Sequence, residues 1–519
     1  MTSFDVSSPI KPSFGNRVIQ GTVWGQAGKI LESALTLGFA ILVIRRLGPA
    51  DYGRYGLISS AVVITMTLSA LGTNEVLGSK VPALLAQGKE HSARRLTLRV
   101  VSVRLIAMLV GLAILLILRH QMAAWFRTPA FKESALWIAL LALLLNIAEL
   151  ASGFLTTLLE TRFVTCVRAL GLGLSISAAM ALFRFKGVSV QAALMATAMC
   201  SAVIIILTVR RGLAIISRWR TGPNAAPHFA KYALTVWAGN LTNVGLSLYS
   251  SVFLLGILVT DISQVGFYNA AVLPIGRLWT VMAAGMGTVM LPTLAEIGAR
   301  HGAPGLARAW RAYVNVFVLV LLPTYGFVLV YATPLARFFF GEAYLPVSGL
   351  MRVYLALVLP GTFFVGTATI NLFYATRRQG LVLLTSTIGG LLDIALLLLL
   401  IPKLNALGAI LADGLSGLAT SLLLFVLLKH RLPMLSYPIG FVLKIAGATF
   451  GAFTTAYWLV PPRSPVTAAI SMMLGAILFI SLSRALKPLI HEDLPLKQFG
   501  PRLGQIAQWF GAPCGTYPV

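Results

Sequence analysis

An all-α protein that crosses a membrane about fourteen times is what the sequence predicts, and three observations carry the prediction. Of 519 residues, 58% are hydrophobic and only 11% are charged, too little polar surface to cover that much apolar mass in water. Apolar runs of about 20 residues, long enough to span roughly 30 Å of hydrocarbon at 1.5 Å per residue, recur along the chain. Lys and Arg, 41 in all against 15 Asp and Glu, gather in the short connectors between those runs, as the positive-inside rule distributes them. A net charge of +26 would point to nucleic acid in a soluble protein; here it points to membrane lipids, and no nucleic-acid partner is expected. Cys166, Cys200 and Cys514 lie far apart, with neither metal spacing nor a disulfide framework.

Residues 1–20 are polar, without the apolar centre of a signal peptide, and read as a cytoplasmic tail. The first span covers about 21–43, and helical spacing puts Thr22, Gln26, Lys29, Ser33 and Thr36 on one polar face. Glu32 stands one turn from Lys29, so the stripe either meets a polar substrate or neutralises itself through an i,i+3 pair. Gly48-Pro49 breaks the helix and Tyr52-Gly53 is expected to turn it, after which a second span runs to about Gly72.

The run from Arg45 to Tyr55, Arg-x-Leu-Gly-Pro-x-x-Tyr-Gly-x-Tyr, resembles the start of bacterial polysaccharide flippases, the Wzx-like branch of the multidrug/oligosaccharidyl-lipid/polysaccharide exporter superfamily. Further along, Val265-Gly266-Phe267-Tyr268-Asn269-Ala270-Ala271, continuing to Met290-Leu291-Pro292-Thr293-Leu294-Ala295, is similar to a second signature of the same flippases. The resemblance covers nearly all of the chain.

Residues 80–99 form a basic connector expected to lie as an amphipathic helix on the cytoplasmic surface. Spans three to six follow near 100–118, 134–158, 164–183 and 188–209. The basic connector 210–231, with its Gly-Pro-Asn turn, divides an N-terminal lobe (21–209) from a C-terminal lobe (232–428). The seventh span repeats the polar stripe of the first with Asn240, Asn243, Ser247 and Ser250. Leu255-Gly256 and the run from Val265 then echo Leu47-Gly48 and the run from Tyr52, an internal repeat of the kind transporters place around their site. Two six-helix lobes related by a pseudo-two-fold axis are therefore expected.

The eighth span, 264–297, carries Arg277 a third of the way in, at a cost near 2.5–3.5 kcal/mol for an arginine at a helix centre. Asn269, Leu273, Thr280, Ala284 and Thr288 share its face. Arg277 either lines a polar path or snorkels to the headgroups. Spans nine to twelve fall near 309–332, 347–374, 380–401 and 405–428, and two extra helices lie within 438–485, ahead of a tail from 486 to 519. Lys and Arg concentrate in the even-numbered connectors and both tails, which puts both termini in the cytoplasm. Asp393 and Asp413 lie within spans, where carboxylates either pair with basic residues of neighbouring helices or relay ions; with Glu32 they are the candidate ion-coupling groups.

No G-x-x-x-x-G-K-[ST] or H-E-x-x-H run is present, so no cofactor, metal or catalytic residue is expected. The odd-numbered connectors are too short to carry the external loop domain of a membrane glycosyltransferase or glycan polymerase. The resemblance implies a flippase that carries a polyprenyl-pyrophosphate-linked oligosaccharide across the bacterial cytoplasmic membrane by alternating access, working beside a polysaccharide polymerase and chain-length regulator. It also implies a cavity lined by spans one, two, seven and eight, which fits the stripes bearing Lys29, Gln26, Ser33, Asn240, Asn243, Arg277 and Thr280. Many relatives carry an acidic residue in the seventh span, where Ser251 stands here, and lipid II flippases place an arginine within the second, where this chain has only Arg54 at its start. A multidrug extruder of the same superfamily is the alternative; it would hold organic cations with carboxylates and aromatics in its cavity, which this chain is expected to supply poorly.

Overall fold

The computed structural model of the protein describes residues 14–486 except 126–128, 222–228, 232, 235, 239–247, 365, 377 and 434. Every regular element among the described residues is helical, and ten helices are long and apolar enough to cross a bilayer. Several are too long to be one crossing. The helix Phe14–Ala70 has 57 residues, about 85 Å if straight against a hydrocarbon core of about 30 Å. It divides at Gly48, whose φ of +74° ends the first span, and Pro49 then enters the next segment where its missing N–H costs nothing. Ser263–Val330 divides in the same way at Gly302 and Gln379–Arg431 at Asn405, which gives about fourteen passes.

Three local expectations are corrected. Tyr52-Gly53 is not a turn: both residues are helical, and the reversal belongs to Gly48-Pro49 alone. The second span does not stop at Gly72. It breaks there, with Leu71 at φ +48° and Gly72 at φ +63°, and resumes as Thr73–Ala86. Residues 80–99 are therefore not a surface helix; they are the end of that segment, a tight turn at 87–89, and the start of the third span, Glu90–Ile117. Composition showed the charges but not that they cap two membrane helices. Short helices at Arg119–Trp125 and Ala332–Phe340, which the sequence had not suggested, lie in connectors.

The break in the second span matters for how the lobes meet. It deprives main-chain carbonyls of their helical partners, a loss that must be made good inside a membrane protein. The indole of Trp237, in the seventh span, donates to the carbonyls of Thr67 and Leu68, at 3.3 and 3.1 Å. Within the N-terminal lobe, Arg104 is 1% exposed and donates to Asn146, Thr73, Asn74 and Glu149, so one guanidinium fork ties the third span to the fourth and to the segment beyond the break. In the C-terminal lobe Trp310 donates to Thr369 at 2.9 Å, and the Tyr331 hydroxyl bonds Ser471 at 2.7 Å, docking the last span onto the ninth. Large apolar side chains such as Ile117, Leu391 and Trp458 point outward, as lipid contact requires.

The lobes join where the second and eighth spans begin. A Cβ built on Gly53 would overlap the carbonyl oxygen of Ile262, and one on Gly266 would overlap that of Pro49. The contact is reciprocal, each glycine meeting the residue four before its counterpart, which is what two-fold related surfaces do. This register pairs Gly53 with Gly266 and Gly56 with Asn269; the Leu47-Gly48 and Leu255-Gly256 pair, also taken as part of the echo, is out of step with it.

Candidate functional site

The C-terminal lobe holds a cavity of about 470 Å³ built from five spans. The eighth contributes Leu273, Gly276, Arg277 and Thr280 at helical spacing, because positions three and four apart share a face. Tyr249 comes from the seventh, Tyr354 from the tenth, Asp393 from the eleventh, and Asp413, Ser416 and Thr420 from the twelfth. Arg277 therefore lines a cavity within the protein, beside two carboxylates. Among the described residues it forms no ion pair.

The carboxylates are held by hydroxyls, not by the neighbouring cations that were one expectation. Ser251 donates to Asp413 Oδ1 at 2.8 Å and the Tyr268 hydroxyl donates to its other oxygen. Ser416 donates to Asp393 Oδ1 at 2.7 Å and also reaches the Asp413 main-chain carbonyl. The position that is acidic in many relatives of the resembling family is thus a serine that bonds a carboxylate from the twelfth span. With one arginine and two carboxylates, the cavity carries a formal charge of −1 if all three are ionised.

The other predicted residues are placed as follows. Thr280 is exposed and shares the cavity with Arg277, while its hydroxyl bonds back to the carbonyl of Gly276. Lys29 is exposed and is not part of this cavity. Glu32 does not pair with Lys29; both its oxygens accept from Arg168 of the fifth span at 3.4 Å, where Gly28 packs on Thr165. Ser33 is buried. The side chain of Gln26, and Asn240 and Asn243 altogether, lie outside the described residues. No group of three or more potential metal ligands occurs among the described residues. Tyr249, Tyr268 and Tyr354 were not singled out as site residues, and Ser251 was noted only as the place where relatives carry an acid, because helical spacing along one span does not show which residues face Asp413 across the bundle.

The family described as "Polysaccharide biosynthesis protein" matches residues 42–349, more than half of the chain. The chain belongs to the polysaccharide biosynthesis protein family. The match includes Arg277 and Ser251 but ends before Asp393 and Asp413, so the family model says nothing of the two carboxylates. This polysaccharide biosynthesis protein shares its fold with solved transporters. The lipid II flippase MurJ in an inward closed conformation aligns with a TM-score of 0.66 at 13% identity, over 91% of this chain and 98% of that one. A multidrug resistance MATE family transporter of the MOP superfamily, in an inward-facing conformation, aligns at 0.65 and 15%, over 80% and 98%. A MOP superfamily transporter from Pyrococcus furiosus Vc1, whose binding pocket is described as of reverse polarity, aligns at 0.58 and 15%, over 82% and 99%. At these identities the likeness is one of fold. No curated protein matches at the sequence level.

Proposed function

We propose that the protein flips a polyprenyl-pyrophosphate-linked oligosaccharide across the membrane by alternating access, with Arg277 receiving the phosphate end. One observation carries this reading: an arginine without an ion-pair partner among the described residues lines a cavity in the middle of a membrane-crossing lobe. Such a residue is retained at a cost of several kcal/mol, and a phosphate offers its planar fork two charge-assisted hydrogen bonds that offset it. The family supports the substrate class and the shared fold supports the flippase mechanism.

Asp393 and Asp413 oppose a phosphate as the cavity stands, and that opposition supplies a means of coupling. A cation or proton taken up by the two carboxylates removes the negative charge beside Arg277 and leaves the guanidinium to the phosphate. By linkage, phosphate binding then strengthens cation binding by the same factor. Lys29, outside this cavity, contributes attraction along the path from the N-terminal lobe.

The test is surface glycan production in cells whose sole copy carries Arg277→Lys or Arg277→Ala, with protein abundance followed in parallel. Lysine keeps the charge and loses the fork, so output falls in part; alanine loses most of it. Full output from Arg277→Ala at normal abundance refutes the role. The alternative, extrusion of organic cations, is favoured by one observation: the cavity does hold two carboxylates and two tyrosines, Tyr249 and Tyr354. It predicts energised efflux of a quaternary ammonium dye that is lost in Asp413→Asn and retained in Arg277→Ala.

A further inference from the structure

The contact between Gly53 and Gly266 is made by main chain on both sides. Besides the carbonyl overlaps, a Cβ on Gly53 would lie 3.1 Å from the Gly266 nitrogen, and one on Gly266 would lie 3.1 Å from the Gly53 nitrogen. Unlike a side chain, a main-chain neighbour cannot swing away, so any residue other than glycine must push the two spans apart. One turn deeper, Gly56 faces Asn269, whose amide nitrogen would lie 2.7 Å from an added Cβ. That obstacle is the end of a side chain and can move.

Tyr344 closes the same end from above. It lies in the connector after the ninth span and packs edge-on against Tyr52 of the second span and Phe267 of the eighth, with ring centroids 6.5 and 6.1 Å apart. It thus touches both lobes beside the glycine seam. The ring is 1% exposed, yet its hydroxyl has no hydrogen-bond partner among the described residues. A buried hydroxyl without a partner is a cost carried by this closed arrangement, and one that parting of the lobes relieves.

We propose that Gly53 and Gly266 form the gate at the outer end of the transport path, a main-chain seam that parts to release the head group, and that the unsatisfied hydroxyl of Tyr344 keeps the closed state from being too stable. The glycines permit closure; the tyrosine limits it. This rests on the flippase reading only for what passes through. The outer placement follows from the odd-numbered connectors being, as a set, poorer in Lys and Arg than the even-numbered ones and the tails, although the first of them holds Arg45 and Arg46.

The experiment uses the full chain, without its three native cysteines, carrying Leu273→Cys two turns inward of Gly266. A membrane-impermeant maleimide is applied to intact cells and the labelling rate of folded protein is measured. Gly53→Ala and Gly266→Ala each raise the rate several-fold, Gly56→Ala raises it less, and Tyr344→Phe, which removes the unsatisfied oxygen and keeps the ring, lowers it below the parent. Labelling at the parent rate in a normally abundant glycine variant overturns the gate, and a raised rate in Tyr344→Phe overturns the role of the hydroxyl. Should Gly53→Ala and Gly266→Ala fail to accumulate, Gly56→Ala and Tyr344→Phe decide, and a parent rate in both sinks the proposal. Labelling needs no substrate, so a failure of Arg277→Ala to reduce glycan output counts against the flippase reading and leaves this result standing.

Discussion

Ser251 donates its hydroxyl to Asp413 across 2.8 Å, joining the seventh span to the twelfth at a carboxylate that lines the same cavity as Arg277. With Tyr268 on the second oxygen, both carboxylate oxygens are occupied by donors that an amide in place of the carboxylate cannot satisfy equally, since one side would present NH₂ to a hydroxyl.

Asp413→Asn is accordingly expected to reduce glycan output strongly at normal abundance, and Ser251→Ala to reduce it less. The loss of a hydrogen bond to a charged group is about 1.5–3 kcal/mol, or roughly ten- to a hundredfold in the equilibrium it supports. Uptake of labelled substrate into inverted vesicles, with the sodium and proton gradients imposed separately, measures the effect. Equal output from Asp413→Asn under either gradient would remove the carboxylate from the coupling scheme.

Arg104 is the corresponding polar centre of the N-terminal lobe, and its role is structural. Replacing it with methionine takes a donor from Asn146, Asn74, Thr73 and Glu149, the last of which keeps only the Asn74 amide among the described residues. Breaking a buried pair in this way costs about 3–5 kcal/mol, toward the lower end here because the Glu149 side chain is 45% exposed. Arg104→Met should therefore lower the melting temperature of purified protein, and Arg104→Lys should recover only part of it because the ammonium lacks the fork. An unchanged melting temperature in Arg104→Met contradicts this account.

Asp261 sits in the connector before the eighth span, where the hydroxyl and amide of Ser263 both donate to it. The Ser263 hydroxyl in particular holds its carboxyl below the usual 3.8. The folded value is thus lower than the unfolded one, so its stabilisation is complete above about pH 4 and is lost as the pH falls through the lowered value. Wild type should out-melt Asp261→Asn at neutral pH by a small margin, because the group is exposed, and the margin should close on acidification. A margin independent of pH would mean the carboxylate charge is not what Ser263 recognises.

The membrane class and the about fourteen passes were legible because they depend on quantities that are sums along the chain. Hydropathy over 20 residues and the placement of Lys and Arg need no tertiary information. Arg277 was legible for a related reason: one arginine in an apolar run is conspicuous whatever it faces. Gly53 and Gly266 were visible within a repeat, yet Gly53 was read as part of a turn, since a helix interior and a turn both accept glycine and only the approach of a second backbone tells them apart.

What the sequence by itself determined, then, is which segments enter the membrane and which polar residues they carry with them. Tertiary structure alone decided the partners. Glu32 could meet Lys29 one turn away or a residue 136 positions on, and the packing of Gly28 against Thr165 chose Arg168. Asp413 could seek a cation, and the approach of the seventh and eighth spans supplied two hydroxyls instead. The reason is physical: hydropathy is a property of one helix against lipid, whereas a hydrogen bond or a close backbone contact depends on the relative rotation and depth of two helices, fixed by every residue packed between them.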